Sequence, residues 1–339
     1  MPQEIKISTS TVLEAFAILG LFYFLFLIRD LILLIFVAFI LMSVLNPAVD
    51  YLQKKGVPRF INILFLFLLL ILFLILFIQA VANPLVGESQ SFISSFPQVL
   101  DNFLRSIKLP SAFDINQWAG VITDLFGKFF GQIISAPLFL VKIGAEVFSG
   151  VVALLSVLVI TFYLLLDGAK IKKFLALFFP LNKRDQILLA INTIEKKLGD
   201  WLRGQLVLMF VVGFLTFVGL TLLNIKFALP LAVLAGLLEI VPNIGPIFSM
   251  LLPLIIGFAE SPLKALAVVV LFLFVQQSEN NLLVPLIMKK AVGLHPLFII
   301  LALIIGGKLL GAAGVILAVP LAVVFWVIFT EFFATTKNS

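Results

Sequence analysis

Charged residues are scarce in this sequence, and cysteine is absent from it. Asp, Glu, Lys and Arg make up 12% of the 339 residues, whereas soluble domains carry roughly 25%. The lack of cysteine excludes disulfide bonds and thiolate metal sites. The low charge, the 63% share of hydrophobic residues and the mean hydropathy of +1.25 together exclude an ordinary soluble core. The sequence therefore predicts an all-α polytopic membrane protein.

The signatures of common enzyme classes are missing as well. The chain contains no His-Glu-x-x-His motif and no P-loop, and no serine in a nucleophile setting lies near its single histidine, His295. We therefore expect a protein that is not an enzyme and that uses no cofactor and no metal. The net charge of +6 is typical of basic cytoplasmic loops, so we expect no nucleic-acid partner.

Apolar runs predict about eight transmembrane helices. Residues 11–28 and 31–45 are interpreted as two spans joined by a tight charged turn at Arg29-Asp30, the second ending at Asn46-Pro47. A signal peptide is the alternative for the first run, but the run is longer than the usual 7–15 apolar residues and no small-residue cleavage site follows it. With a third span at residues 60–81, residues 1–82 form a three-span unit.

The next two units combine spans with amphipathic segments. Residues 83–146 have apolar residues at helical spacing and predict amphipathic helices outside the cytoplasm, either interfacial helices or an interaction arm. In the unit 147–204, a fourth span at residues 147–166 precedes a segment with eight Lys and Arg against four acidic residues. This basic segment predicts a cytoplasmic amphipathic helix. The same bias places both termini on the cytoplasmic side.

The last unit, residues 205–339, is predicted to be a transport core. Its residues 229–258 are almost entirely apolar, yet Glu239 lies beside the break Pro242-Asn243-x-Gly245-Pro246. Irregular backbone at membrane depth survives only where protein or water surrounds it, and an acidic residue there predicts a functional site. A single crossing would put Lys289-Lys290 outside, so a re-entrant helical hairpin is favoured. An ordinary interfacial turn is the alternative for the break.

A run of six polar residues, residues 276–281, lies between two apolar segments of the same unit. In one continuous helix, Gln276, Glu279 and Asn280 share a face at positions i, i+3 and i+4, and that face is expected to meet Glu239 inside the bundle. A loop at the headgroups is the alternative. His295 beside Pro296 predicts an interfacial cap rather than a proton relay. Spans at residues 296–306 and 315–333 form a closing pair, and the small residues between them predict close helix packing or sliding.

Four blocks of this unit resemble the autoinducer-2 exporter family of predicted permeases. They are Leu238-Glu239-Ile-Val-Pro-Asn-Ile-Gly-Pro-Ile, Gln277-x-Glu279-Asn-Asn-Leu-Leu-Val-Pro285, Val292-Gly-Leu-His-Pro-Leu and Gly306-Gly-Lys-Leu-Leu-Gly-Ala-Ala-Gly-Val. Asn46-Pro47 and Phe162-Tyr-Leu-Leu-Leu-Asp167-Gly168 extend the resemblance to nearly the whole chain. One departure is Asn243, where many relatives carry an aromatic residue. That departure puts detailed pocket chemistry outside what the resemblance can supply.

The resemblance implies an eight-span bacterial or archaeal inner-membrane transporter that forms a homo-oligomer, with a pentamer as one option. Members have been linked to export of autoinducer-2 and others to sodium/proton antiport, so the solute stays open. Three hypotheses follow: a cation- or proton-coupled secondary transporter with Glu239 and Glu279 as carriers, a transporter that binds a small polar solute through neutral amides, and a non-transport scaffold. The predicted solute-binding or hinge residues are Pro242, Asn243, Gly245, Pro246, Gln276, Gln277, Asn280, Asn281, Pro285, Gly293, His295, Pro296, Gly306, Gly307, Gly311 and Gly314.

Overall fold

The computed structural model describes residues 9–106, 147–242, 244–288 and 295–334, and within those ranges the chain is helical, without strands. We number the helices α1 (Thr9–Leu27), α2 (Arg29–Lys54), α3 (Arg59–Ser106), α4 (Val147–Leu177), α5 (Arg184–Leu222), α6 (Ala228–Leu238), α7 (Ile244–Glu260), α8 (Pro262–Ser278), α9 (Val284–Met288) and α10 (Pro296–Phe329). A π-helical segment, Glu279–Leu283, joins α8 to α9, and a second one, Thr330–Ala334, follows α10. The predicted all-α class is confirmed.

Five of the described segments are long and apolar enough to cross a membrane. They are Arg29–Lys54, Val152–Leu177, Leu181–Leu222, Pro262–Met288 and Leu297–Phe332. Large apolar side chains cover their outer faces, with Phe210 69% and Phe325 68% exposed. A surface of this kind is stable in lipid and not in water. The chain is therefore a multi-pass membrane protein, and the count of eight spans stays a prediction.

Helices α1 and α2 meet at Ile28. Its N–H donates to Phe24 (3.0 Å) and its carbonyl accepts from the N–H of Ile32 (3.0 Å), while its own backbone (φ −95°, ψ 12°) departs from helical values. Helix α1 therefore ends before Arg29-Asp30, and the tight turn at this charged pair stays a prediction. The number of spans within residues 1–82 stays a prediction.

Helix α2 continues past Pro47, where the sequence predicted that the second span would end. Proline lacks an N–H, so it cannot donate to the carbonyl of Ser43 one turn earlier. Arg203 of α5 replaces that donor, since its Nη1 reaches the carbonyl oxygens of Ser43 (3.4 Å) and Val44 (3.0 Å). A cation from another helix thus lets α2 run on to Lys54.

Two predicted amphipathic segments are continuous with their neighbouring spans. The predicted third span, residues 60–81, is part of α3, which runs without interruption to Ser106. The rest of the predicted segment 83–146, residues 107–146, lies outside the described residues. In the same way, the basic helix and the span after it form one 39-residue helix, α5. Helix α5 packs against α2, α4, α6, α8, α9 and α10, and so it is the central helix of the fold.

A polar cluster that the sequence did not predict joins α2, α3, α4 and α5. Arg59 Nε donates to the carbonyl of Leu165 (2.6 Å), whose helix is bent two residues later at Asp167 (φ −116°, ψ 16°). Its other nitrogens reach Asp50 (2.7 Å) and Asn46 (2.8 Å). Asn46 in turn donates to Glu195 Oε1 (2.8 Å), and Glu195 Oε2 pairs with Lys172. We call these residues, Asn46, Asp50, Arg59, Lys172 and Glu195, the Arg59 cluster; they line a cavity of about 460 Å³.

The last third of the chain is built from two helical hairpins. Helices α6 and α7 pack against each other and share an apolar core with α5 and α8, in which Leu234, Leu252 and Phe272 are buried. Helix α10 reverses at Gly311 (φ 61°, ψ −140°), a backbone conformation that favours glycine. The arms before and after it touch at Gly306 and Gly314, where a Cβ on either residue would overlap the other's carbonyl. The predicted close packing of these small residues is confirmed, while the two arms as separate closing spans and the position of the α6–α7 hairpin in the bilayer stay predictions.

Candidate functional site

The α6–α7 break is a compact turn whose backbone groups are largely bonded. After α6 ends, the N–H groups of Ile240 and Val241 donate to the carbonyls of Leu237 (3.2 Å) and Leu238 (3.0 Å), and Gly245 donates to Val241 (2.9 Å). Pro242 and Pro246 supply no N–H, so neither can extend the helical ladder across the break. Proline and local bonding thus stop α6 at Leu238 without leaving these carbonyls free.

Gly245 allows the two arms to approach at this point. A Cβ there would overlap the carbonyl oxygen of Leu238 and lie 2.5 Å from its carbonyl carbon. Only glycine fits such a distance between the start of α7 and the end of α6. Of the other break residues, Pro242 and Pro246 are half-buried, and Asn243 lies outside the described residues.

The break places a carboxyl group inside the protein. Glu239, the residue directly after α6, is 1% exposed, and Glu279, the first residue of the π-helical segment, is 3% exposed. The two carboxyl groups are neighbours that interact electrostatically. The structure therefore brings together the two acidic residues that the sequence singled out, from positions 40 residues apart.

The buried stripe of α8 determines which polar residues of the run 276–281 face inward. Ala265, Val268, Phe272 and Val275 form the buried stripe of α8, and Glu279 continues it. Gln276 lies at the edge of this stripe and its Nε2 is 3.4 Å from Glu279 Oε2. Asn280 is exposed, and so are Asn281 and Gln277, which bond to each other (2.9 Å). The expected shared face is thus only half present, because the stripe is centred on Val275 rather than on Gln276.

A residue that the sequence analysis missed lies beside the pair. Gln205 of α5 is 1% exposed, and its Nε2 donates to the backbone carbonyl of Glu239 (2.5 Å). Its neighbour Gly204 packs against Met288 at the end of α9. The signal was available, since Gln205 is a lone amide at the start of an otherwise apolar run, and a polar side chain at membrane depth calls for a partner.

Two buried side-chain oxygen atoms of the site have no hydrogen-bond partner among the described residues. Among the described residues, Gln205 Oε1 and Glu239 Oε2 are buried and accept no hydrogen bond. In the part of the chain that the structure describes, neither Glu239 nor Glu279 forms an ion pair with a Lys or Arg. Buried carboxyl groups this close repel each other if both are ionised, so a proton or a cation would stabilise the pair. The described residues contain no cluster of three or more His, Cys, Asp and Glu that could hold a metal ion.

The other predicted residues lie away from this pair. His295 is exposed and caps α10, its Nδ1 accepting from the N–H of Leu297 (3.3 Å), as the predicted cap requires, and Pro296 is the first residue of that helix. Pro285 is exposed on α9. Gly306, Gly307, Gly311 and Gly314 belong to the α10 hairpin. Gly293 and Lys289-Lys290 lie outside the described residues.

Comparisons with known proteins give one consistent result. The model of the AI-2E family transporter matches residues 15–334. Two proteins of Bacillus subtilis (strain 168) are similar along most of their length: YueF, 30% identical over 84% of this chain and 79% of its own, and YrrI, 26% identical over 89% and 85%. MT0215 of Mycobacterium tuberculosis (strain CDC 1551 / Oshkosh) is 25% identical over 86% of this chain and 80% of its own. All three carry the name "Putative transport protein".

Proposed function

This chain belongs to the AI-2E transporter family, and we propose that it is a secondary transporter that exports a small polar solute by alternating access. In this proposal the Glu239–Glu279 pair carries a proton or a cation that is coupled to the solute. The observation that carries the proposal is the burial of two neighbouring carboxyl groups at an interrupted helix and a π-helical segment. Interrupted helices and π-bulges are both common at functional sites of membrane proteins and enzymes.

Burial makes these two residues costly for the fold unless they serve a function. Each places a carboxyl group within an apolar bundle, where a charge at membrane depth costs at least about 2.5–3.5 kcal/mol. Neither is used to tie helices together through a Lys or Arg among the described residues, in contrast to Glu195, which pairs with Lys172. A structural role therefore accounts for Glu195 better than for Glu239 or Glu279.

The direct test is flux through purified protein in liposomes. We expect Glu239→Gln and Glu279→Gln each to abolish flux that is driven by a proton or sodium gradient, since both variants keep the shape of the side chain and lose its charge. Glu260→Gln is the matched control, because Glu260 lies at the end of the same hairpin and pairs with Lys264 (2.5 Å) instead. Wild-type flux in the double variant with both Glu239 and Glu279 replaced would disprove the assignment.

A sodium/proton antiporter is the second candidate. It is favoured by the acceptor oxygens of the pair and of Gln205, which suit a cation better than a solute that itself needs acceptors. One liposome assay that compares sodium/proton exchange with autoinducer-2 efflux separates the two. Exchange without efflux would favour the antiporter, and efflux that ignores both gradients would favour an uncoupled exporter.

Assembly and membrane placement are part of the same proposal. We place the protein in the inner (cytoplasmic) membrane with both termini in the cytoplasm, as a homo-oligomer. The exposed polar pair Gln277–Asn281 supports an oligomer, since polar side chains at membrane depth are stabilised by partners on another helix. Because the chain has no cysteine, an Asn281→Cys variant reports contact between copies directly. No oxidative cross-link between copies in membranes would argue against this face as the interface.

A further inference from the structure

Four backbone carbonyls of the α6–α7 break are already bonded. Those of Leu237, Leu238 and Val241 accept from neighbouring N–H groups, and that of Glu239 accepts from Gln205 Nε2. Discontinuous membrane helices can bind ions through unwound carbonyls, but these four oxygen atoms have partners. The buried oxygen atoms without a partner at the carboxyl pair belong to side chains.

The side-chain oxygens without partners are all acceptors. An ionised carboxylate has only acceptor positions, and the amide carbonyl of Gln205 donates nothing. Leaving buried acceptors unpaired costs about 1–3 kcal/mol each, and more for a charged group. The missing partner of Glu239 Oε2 and Gln205 Oε1 is therefore a hydrogen-bond donor or a positive charge.

The side-chain oxygen of Gln205 distinguishes two possible partners of the carboxyl pair, a bound cation and a shared proton. A proton held between Glu239 and Glu279 would satisfy the carboxyl pair and leave Gln205 Oε1 as it is. A cation between them would be coordinated by the amide oxygen as well, since the other atom of the same amide group already contacts the Glu239 backbone. A site with two carboxyl groups and one amide also offers fewer oxygen ligands than the roughly six to eight that Ca²⁺ takes.

We propose that Gln205, Glu239 and Glu279 bind one small, largely dehydrated monovalent cation such as Na⁺, with Gln205 Oε1 as its neutral ligand. This inference rests on the proposed function and specifies the partner of the same site. The cation links the central helix α5 to the α6–α7 break and to the π-helical segment. Its arrival or departure would change how these three elements are held together.

The test is binding of Na⁺ to the purified full-length protein. Sodium replaces choline at constant ionic strength, and both the thermal midpoint Tm and ²²Na⁺ binding are measured. We expect Tm to rise with Na⁺ in the wild type, because a ligand that binds only the folded state stabilises it. Gln205→Ala should weaken the apparent affinity at least about tenfold, the loss that corresponds to roughly one hydrogen-bonding ligand. Asn192→Ala is the matched control and should bind like the wild type, since Asn192 is an exposed amide residue on the same helix α5.

Gln205→Glu distinguishes a ligand from a tether. It keeps acceptor oxygens at position 205 and loses the amide donor that holds the Glu239 carbonyl. We expect it to bind Na⁺ within about threefold of the wild type, whereas equal losses in Gln205→Ala and Gln205→Glu would reduce Gln205 to a tether and overturn the proposal. Absence of any Na⁺ effect on the wild type would overturn it too, with a proton or water as the partner.

The failure of this inference and that of the proposed function give different results. Sodium binding without flux of any solute in liposomes would leave the cation site standing and refute transport through it. Gradient-driven flux that persists in Gln205→Ala, together with unchanged Na⁺ binding, would refute the role of Gln205 and leave the transporter standing.

Discussion

Gly245→Ala tests whether the close contact of the α6–α7 break holds the carboxyl pair in place. The added Cβ would lie 2.5 Å from the carbonyl carbon of Leu238 and 3.0 Å from the backbone nitrogen of Glu239. Nonbonded carbon atoms prefer a separation of about 3.5–4.0 Å. The two arms would therefore have to separate by about 1 Å or more at the residue that carries the Glu239 side chain.

Both stability and flux should respond. Overpacking of this kind costs roughly 1–3 kcal/mol. Each kcal/mol should lower Tm by less than the about 2–4 °C typical of shorter chains, because this chain has 339 residues. We expect a lower Tm and a larger relative loss of flux, since misplacing a functional group by about 1 Å can cost about a hundredfold in rate. Both are measured on purified protein, by thermal unfolding and by flux in liposomes.

Gly168→Ala is the control for this substitution. Gly168 has no atom within 4 Å of an added Cβ, so the change there should leave both Tm and flux near their wild-type values. If Gly245→Ala also kept the Tm and flux of the wild type, the contact with Leu238 would not set the geometry of the site. The close approach of the two arms would then have no part in placing Glu239.

Two further predictions concern the arginines that bond to freed carbonyls. Arg203→Met should lower the free energy of unfolding by about 1–3 kcal/mol in the wild type but by much less in a Pro47→Ala background, because alanine at position 47 restores the N–H that the Ser43 carbonyl lacks. Thermal or denaturant unfolding of the double-mutant cycle measures this, and additive losses would contradict the replacement of one donor by the other. Arg59→Lys should lose most of the stability that Arg59→Met loses, because a single ammonium cannot reach Leu165, Asp50 and Asn46 together. The same unfolding assay tests this, with Lys55→Met at an exposed position as the control. An Arg59→Lys variant as stable as the wild type would refute the prediction.

The helices were predictable because long apolar runs leave the backbone few alternatives in lipid. Where the prediction of α2 was wrong, the deciding interaction came from far away in the chain. Proline normally ends a helix by removing a hydrogen bond, and the rule failed at Pro47 because Arg203, 160 positions from Ser43, supplied the missing donor. No local pattern reports such a partner.

The candidate site could be predicted in part for a related reason. Glu239 and Glu279 stand out in the sequence because each is an acidic residue within apolar surroundings, and the cost of burying them suggests that they face each other. Which polar residues lie beside these two carboxyl groups depends on the buried face of α8, which is shifted by one residue from the face expected. A helical wheel centred on Gln276 includes Asn280, whereas the stripe in the structure is centred on Val275 and turns Asn280 outward.

In helix α5, a count of charged residues does not show which of them bond to other helices. Its basic first half looks like a solvated surface, yet Glu195 and Arg203 in that half are bonded to α2 and α4. Two residues after Arg203, Gln205 bonds to the α6–α7 break. One rigid helix therefore contacts both the Pro47 interruption of α2 and the Glu239 carbonyl within a single turn.

These two contacts of α5 predict that the carboxyl site and the Pro47 interruption are coupled. A shift of α5 that follows occupation of the carboxyl site would also change the hydrogen bonds that Arg203 donates to the carbonyls of Ser43 and Val44. The Pro47→Ala variant no longer needs Arg203 there, so it should alter flux in liposomes more than its effect on Tm alone explains. Flux that follows stability alone in that variant would show that the two contacts of α5 act independently.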